Sequence, residues 1–253
     1  MNALAQFMKV MPVARPNQAP QKRYYHHVRR EIRPLLPRTC AQILDVGAGA
    51  GGTLKWLKSI YPHARTTGVE LNPDLAGELR GNADIAINSG IDEALPQLET
   101  YDLILLLDVL EHLVDSAGTL RNLCQRLNPG GQVIVSVPNI AHVSVLFPLL
   151  FRRRFTYEDA GILDRTHLRF FVEETAVQLL NEANLVVTAG LISGLQARRY
   201  KYADLLSLGL FRHYLGQQYI MLGQLNRDGA RQGRVAWGLA PDTPPDEEPV
   251  QRG

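Results

Sequence analysis

Short apolar runs alternate with amphipathic stretches along most of this chain. QILDVG (42–47), TTGVEL (66–71), ADIAINSG (83–90), YDLILLLDVLEHL (101–113) and QVIVSVPN (132–139) read as strands. The apolar run inside the fourth of these is almost continuous, as expected of a strand covered on both faces. Between them, GTLKWLKSIYP, NPDLAGELRG and SAGTLRNLCQRLNPGG read as helices, the first stopped by Pro62 and the last closed by Pro-Gly-Gly. Asn72 is placed to cap the second, with Pro73 at its first position. Upstream, YYHHVRREIRPLLP reads as a helix ended by prolines.

Strands alternating with helices predict an α/β fold with a parallel, doubly wound sheet and helices on both faces. The rhythm breaks near Ile140. Residues 140–171 read as an insertion after the fifth strand, followed by a helix in VEETAVQLLNEANL and two final strands in LVVTAGLISG and YIMLGQLN. Residues 1–20 are rich in Pro, Gln and Ala and are expected to be loosely ordered. The tail 227–253 is polar and Pro-rich and is expected to be disordered, leaving one domain over 21–226.

Composition narrows the classes. A net charge of +2 is too weak to imply nucleic acid. Two cysteines, Cys40 and Cys124, offer neither a disulfide framework nor a metal spacing, which suits a reducing compartment. With no signal peptide and no bilayer-length apolar run, the sequence reads as cytoplasmic. FPLLFRRRF (147–155) joins an apolar patch to three arginines. That pattern suits docking at the inner face of an anionic membrane or gripping a lipid-linked sugar. A packed helix with a basic end is the alternative reading.

The chemistry begins at ILDVGAGAGGT. Gly47, Gly49 and Gly52 stand in G-x-G-x-x-G spacing between a strand and a helix, where a backbone must turn tightly against a ligand. The spacing alone serves any dinucleotide or nucleoside. Asp45 lies two residues before it and would repel a pyrophosphate while favouring a cationic ligand, which tilts the reading from NAD toward S-adenosylmethionine. Glu70 ends the second strand, where a carboxylate accepts from both ribose hydroxyls of either ligand.

ILDVGAGAGGT, GVELNPD, YDLILLLDVLEHL, LNPGGQVIVSVPN and DRTHLRFF resemble, in order and spacing, the successive motifs of class I S-adenosylmethionine-dependent methyltransferases. Within them the chain looks most like the bacterial group related to methionine-biosynthesis methyltransferase-like proteins, many of which sit among glycan-biosynthesis enzymes. The resemblance implies a Rossmann-like, seven-stranded sheet with its last strand antiparallel. It also implies a cofactor site of Asp45, Gly47, Ala48, Gly49, Glu70, Leu71, Asp108 and Val109. The family's adenine-side acid has no direct counterpart in SGIDEALP, where Asp92 is the nearest substitute.

Methyl transfer from a sulfonium is an in-line displacement, so positioning dominates, and an oxygen nucleophile gains from a base. His112, four residues beyond Asp108, and His167 are the candidate bases. His112 as a helix cap is the competing reading, and His142 has no assigned role. In GILDRTHLRFF, Asp164 and Arg165 are expected to face substrate while Phe170 and Phe171 anchor the segment; an internal Asp164–Arg165–Arg169 network is the alternative. The leading expectation is O-methylation of a sugar or glycan intermediate. Methylation of a quinone precursor or carboxylic acid, a non-catalytic cofactor-binding protein, and a nicotinamide oxidoreductase are the alternatives. The Asp, Glu and His residues show no ligand-like clustering, so no metal is expected.

Overall fold

Along β4 (Tyr101–Leu107) consecutive side chains enter two separate cores. Leu103, Leu105 and Leu107 join a cluster with Ile43, Leu54, Leu57 and Ile134, while Ile104 and Leu106 join another with Leu44, Val46, Val133 and Val135. That period-two division is what a strand buried on both faces produces. Helices therefore cover both sides of the sheet, as the near-continuous apolar run predicts.

The computed structural model describes residues 25–195, 198–226 and 229–241. The expectations for residues 1–20 and for the end of the tail lie outside them. The sheet has the order β3-β2-β1-β4-β5-β7-β6-β8. Its members are β1 Gln42–Val46, β2 Arg65–Val69, β3 Ile85–Ile87, β4, β5 Leu127–Pro138, β6 Leu185–Ser193, β7 Gln218–Leu225 and β8 Trp237–Leu239. β1 pairs in parallel with both β2 and β4. β7 enters antiparallel between β5 and β6. The chain thus winds one way from β1 to β3 and the other way from β4, which leaves a crevice at the carboxyl ends of β1 and β4.

The helices are α1 Gly52–Ile60, α2 Ala76–Asn82, α3 Ile91–Ala94, α4 Ser116–Cys124, α5 Val143–Arg152, α6 Glu173–Glu182, α7 Arg198–Leu206 and α8 Arg212–Leu215. Asn72 caps the turn before α2 as expected, its side chain accepting from the Asp74 amide at 3.0 Å.

Three expectations are corrected. The sheet has eight strands, not seven, because Trp237 brings part of the polar tail onto the edge beside β6. Its indole packs where Gly190 has no side chain, lies 5.1 Å from the Tyr219 ring, and donates to Glu173 Oε1 at 2.7 Å. The helix expected over YYHHVRREIRPLLP is a short 3-10 turn, Arg30–Leu35, which contains Pro34. Proline supplies no amide for a helical ladder. The Pro-Gly-Gly after α4 lies within β5, whose register against β4 shifts between Tyr101 and Leu103.

Candidate active site

Four strand ends build the site. After β1, Gly47, Gly49 and Gly51 all take positive φ (72°, 56° and 81°), a region open to glycine at little cost. Gly52 does not; it opens α1 with ordinary geometry, so the third conformationally required glycine is Gly51. The turn is tight on both sides. A side chain at Gly47 would fall 2.7 Å from Val109, and one at Gly49 would fall 2.6 Å from the Tyr25 carbonyl. The Gly47 and Ala48 amides donate to the Val69 carbonyl at 2.8 and 3.0 Å, which ties the loop to β2.

Glu70, just beyond β2, is buried and oriented by backbone. Its Oε2 accepts from the Gly49 amide and its Oε1 from the Asn72 amide, each at 2.8 Å. Each oxygen keeps a lone pair for a hydroxyl donor. Asn88, beyond β3, holds the Glu70 carbonyl at 2.7 Å, a support that no motif announces. Leu71 is exposed beside it and offers an apolar surface. Asp92 sits exposed in the first turn of α3.

Asp45 is buried at the end of β1, and its carboxyl is pushed up to about 7. Burial is the main cause; Glu70 adds to it and Arg29 opposes it. A buried acid poised near neutrality ionises fully when a cation arrives. The glycine cradle, the poised Asp45, the oriented Glu70 and the apolar Leu71 together fit S-adenosylmethionine: ammonium, ribose and adenine each have a matching group.

Asp108 follows β4 with φ 59°, a left-handed conformation uncommon for a residue with a side chain. Its Oδ2 accepts from Arg29 Nη1 at 2.7 Å and Gln218 Nε2 at 2.9 Å, and its Oδ1 from the Ser136 hydroxyl at 2.6 Å. Burial raises its pKa, but Arg29 and these donors outweigh it and hold the carboxylate below its ordinary range. Arg29 is itself buried, also bonded to Glu31 and, at 3.1 Å, to Ser136. Its local sequence, HHVRR, reads as a solvated basic cluster; only the fold shows it to be the cation of the site floor.

The next turn carries Glu111 and His112, and GILDRTHLRFF folds back onto it. The Leu168 and Arg169 amides donate to the Glu111 carbonyl at 2.8 and 3.2 Å. This brings His112 and His167 into edge-on contact, ring centroids 4.8 Å apart. Burial lowers the His167 pKa, leaving it neutral and able to accept a proton at neutral pH. Phe170 packs near His167, Phe155 and Tyr157, with centroids 6.4, 5.9 and 6.4 Å away, which forms a half-exposed aromatic wall.

Asp164 and Arg165 are placed differently from one another. Asp164 Oδ1 accepts from the Thr166 amide and hydroxyl at 2.8 and 2.7 Å, shaping the loop. Arg165 points outward and pairs with Asp159 at 3.0 Å. Arg169 binds the Leu113 and Val114 carbonyls, so the alternative Asp164–Arg165–Arg169 network does not form among the described contacts. The expectation of no ligand-like cluster is also corrected: one atom each of Glu111, His112 and His167 lie within 4.8 Å of one another. Two distant segments supply them, so spacing alone does not reveal the group.

Residues 21–189, more than half the chain, match a family described as "Methyltransferase domain". The trans-aconitate 2-methyltransferase of Streptomyces avermitilis is 28% identical over 51% of this chain and 53% of its own. The chain thus spans about half the length of that relative. The ubiquinone biosynthesis O-methyltransferase of Rickettsia typhi is 25% identical over 70% of this chain and 73% of its own. Among solved structures, a SAM-dependent methyltransferase from Archaeoglobus fulgidus shares the fold with a TM-score of 0.60 and 17% identity, over 81% of this chain and 97% of that one. The chain belongs to the methyltransferase-domain family.

Proposed function

We propose that this protein transfers a methyl group to an oxygen of a small molecule, with a phenolic acceptor of the quinone-precursor type as the best fit. The carrying observation is the wall of Phe155, Tyr157 and Phe170 beside His167, at the same loop that reaches the β4 end of the cradle. A flat ring packs against such a wall edge-on or offset. A neutral His167 beside it can take the hydroxyl proton as the methyl moves. Relatives named for a ubiquinone-pathway O-methylation and for a carboxylate acceptor support this class. The glycan acceptor expected from the sequence has no such support.

Asp45, the glycine turn and Glu70 hold the donor in this reading, and the bound donor supplies an electrophilic methyl. The remaining residues position the acceptor and exclude water. An acceptor met at a lipid surface is a second reading, favoured by the exposed apolar face and arginines of α5.

The test is transfer of labelled methyl to a panel of catechols, small carboxylic acids and sugars, with Glu70→Ala as control. Label in catechols that disappears with the variant supports the reading. Label only in sugars, or in none of the three, overturns it.

A further inference from the structure

Glu111 is the least explained side chain of the site. It is 0% exposed, and among the described residues neither carboxylate oxygen has a hydrogen-bond partner. A buried carboxylate without donors is costly, so such a group takes up a proton, is paired or coordinates a cation, and burial does push the Glu111 pKa upward. The nearest candidates to share its position are His112 and His167, with one atom from each of the three within 4.8 Å of the others.

Each imidazole has its Nδ1 beside a backbone carbonyl. His112 Nδ1 lies 3.3 Å from the Thr166 carbonyl, and His167 Nδ1 lies 3.1 Å from the Ile162 carbonyl. A carbonyl only accepts, so in each ring Nδ1 carries the hydrogen and Nε2 keeps its lone pair. Metal-binding histidines are commonly fixed in this way, by a backbone carbonyl on the far nitrogen.

We propose that Glu111, His112 and His167 bind a divalent transition-metal cation of the Zn²⁺, Co²⁺ or Mn²⁺ class. Two imidazoles and one carboxylate suit these ions better than Mg²⁺ or Ca²⁺, which favour all-oxygen sets. The size is right. Tetrahedral ligands with bonds of about 2.1 Å stand about 3.4 Å apart, so three atoms within 4.8 Å of one another close onto an ion by side-chain movements of about 1 Å. Three protein ligands leave positions open, the arrangement of a catalytic metal and not of a closed structural one. With the metal bound, His167 Nε2 is a ligand and no longer the base; a hydroxyl bound at an open position instead loses its proton to water nearer neutral pH. That role rests on the O-methyl-transfer reading; the site itself does not.

The test uses the full chain, free of any tag and stripped with a chelator. Zn²⁺, Co²⁺, Mn²⁺ and Mg²⁺ are titrated by calorimetry, and Co²⁺ is followed by its visible absorption. S-adenosylhomocysteine binding, which uses the separate glycine cradle, reports that each protein is folded. The expected result is one Zn²⁺ or Co²⁺ per chain, with affinity about tenfold or more weaker in Glu111→Gln and His167→Gln. Folded wild-type protein that takes up none of the transition ions at about 1 mM overturns the proposal, as does uptake unchanged in both variants. Metal uptake without methyl transfer to any oxygen acceptor keeps the site and removes the O-methylation reading.

Discussion

Arg29 Nη1 donates to Asp108 Oδ2 at 2.7 Å, so a residue upstream of β1 neutralises the turn beyond β4. Arg29 is buried and Asp108 largely so, and the pair shares Ser136 and Gln218 as further partners. Removing one member of such a pair strands the other charge out of water. Arg29→Met is therefore expected to lower the unfolding free energy by about 3–5 kcal/mol. Asp108→Asn should also destabilise, and the double variant should lose less than the sum of the two. Urea unfolding of all four proteins checks this; additive losses would show that the pair is not coupled.

Asp45 predicts a pH dependence in two directions. Its carboxyl sits at about 7 against an ordinary value of 3.8, chiefly through burial. Between these values the folded chain keeps a proton that the unfolded chain has released. Its contribution to stability therefore declines as pH rises across that window and levels off above it. Binding of a ligand ammonium goes the other way, because it needs the ionised form, and affinity should climb with pH until about 7. Calorimetry with S-adenosylhomocysteine from about pH 5 to pH 8 measures the slope. Asp45→Asn should weaken binding and flatten the climb; a wild-type affinity independent of pH over that range would contradict the assignment.

Glu70 serves both fold and ligand. Its two oxygens satisfy the Gly49 and Asn72 amides. Glu70→Ala leaves both without that acceptor, which should cost about 1–3 kcal/mol and loosen the glycine turn. Cofactor affinity should fall well beyond what the stability loss implies, since the ribose acceptor goes as well. A variant that keeps wild-type affinity would move the ribose elsewhere.

These three cases show why part of the site is legible in sequence and part is not. Asp45, Gly47, Gly49 and Glu70 announce themselves because a strand end, a turn and the next strand end are local features with fixed spacing. Arg29 does not, because its burial depends on Asp108, Ser136 and Gln218 arriving from three later strands or strand ends. Glu111 and His112 are visible as residues, yet their neighbour His167 is supplied by a loop whose path the apolar pattern cannot fix. Trp237 is a single aromatic in a polar tail, and its slot over Gly190 exists only once β6 has formed. Periodicity reads elements; it does not read which distant side chain meets which.

Two glycine substitutions should move stability in opposite directions. Gly49→Ala forces a side chain onto the Tyr25 carbonyl at a positive φ and should destabilise. Gly77 lies in α2 with open space around it. Gly77→Ala removes backbone entropy from the unfolded chain and should stabilise by about 0.5–1 kcal/mol. Thermal melts of both variants separate glycines held by geometry from those that are not.

α5 turns apolar side chains to solvent. The sequence leaves open a packed helix or a docking one, and the structure exposes its apolar face: Phe147 is 59% exposed, Leu150 70% and Phe151 72%. Phe147 and Phe151 sit one turn apart, rings 4.5 Å from each other, and Arg152, Arg153 and Arg154 follow on exposed backbone. Among the described residues no helix is long and apolar enough to cross a membrane, so an association through α5 would be with a surface. Apolar rings followed by cations match an anionic bilayer, where each basic residue near the surface adds about 1 kcal/mol. The chain should therefore sediment with phosphatidylglycerol vesicles and not with phosphatidylcholine ones, and added salt should weaken it. Phe147→Ser with Phe151→Ser should reduce sedimentation while leaving S-adenosylhomocysteine binding intact, because the cradle lies at other strand ends. Equal sedimentation of wild type and variant would mean that the exposed rings of α5 meet something other than lipid.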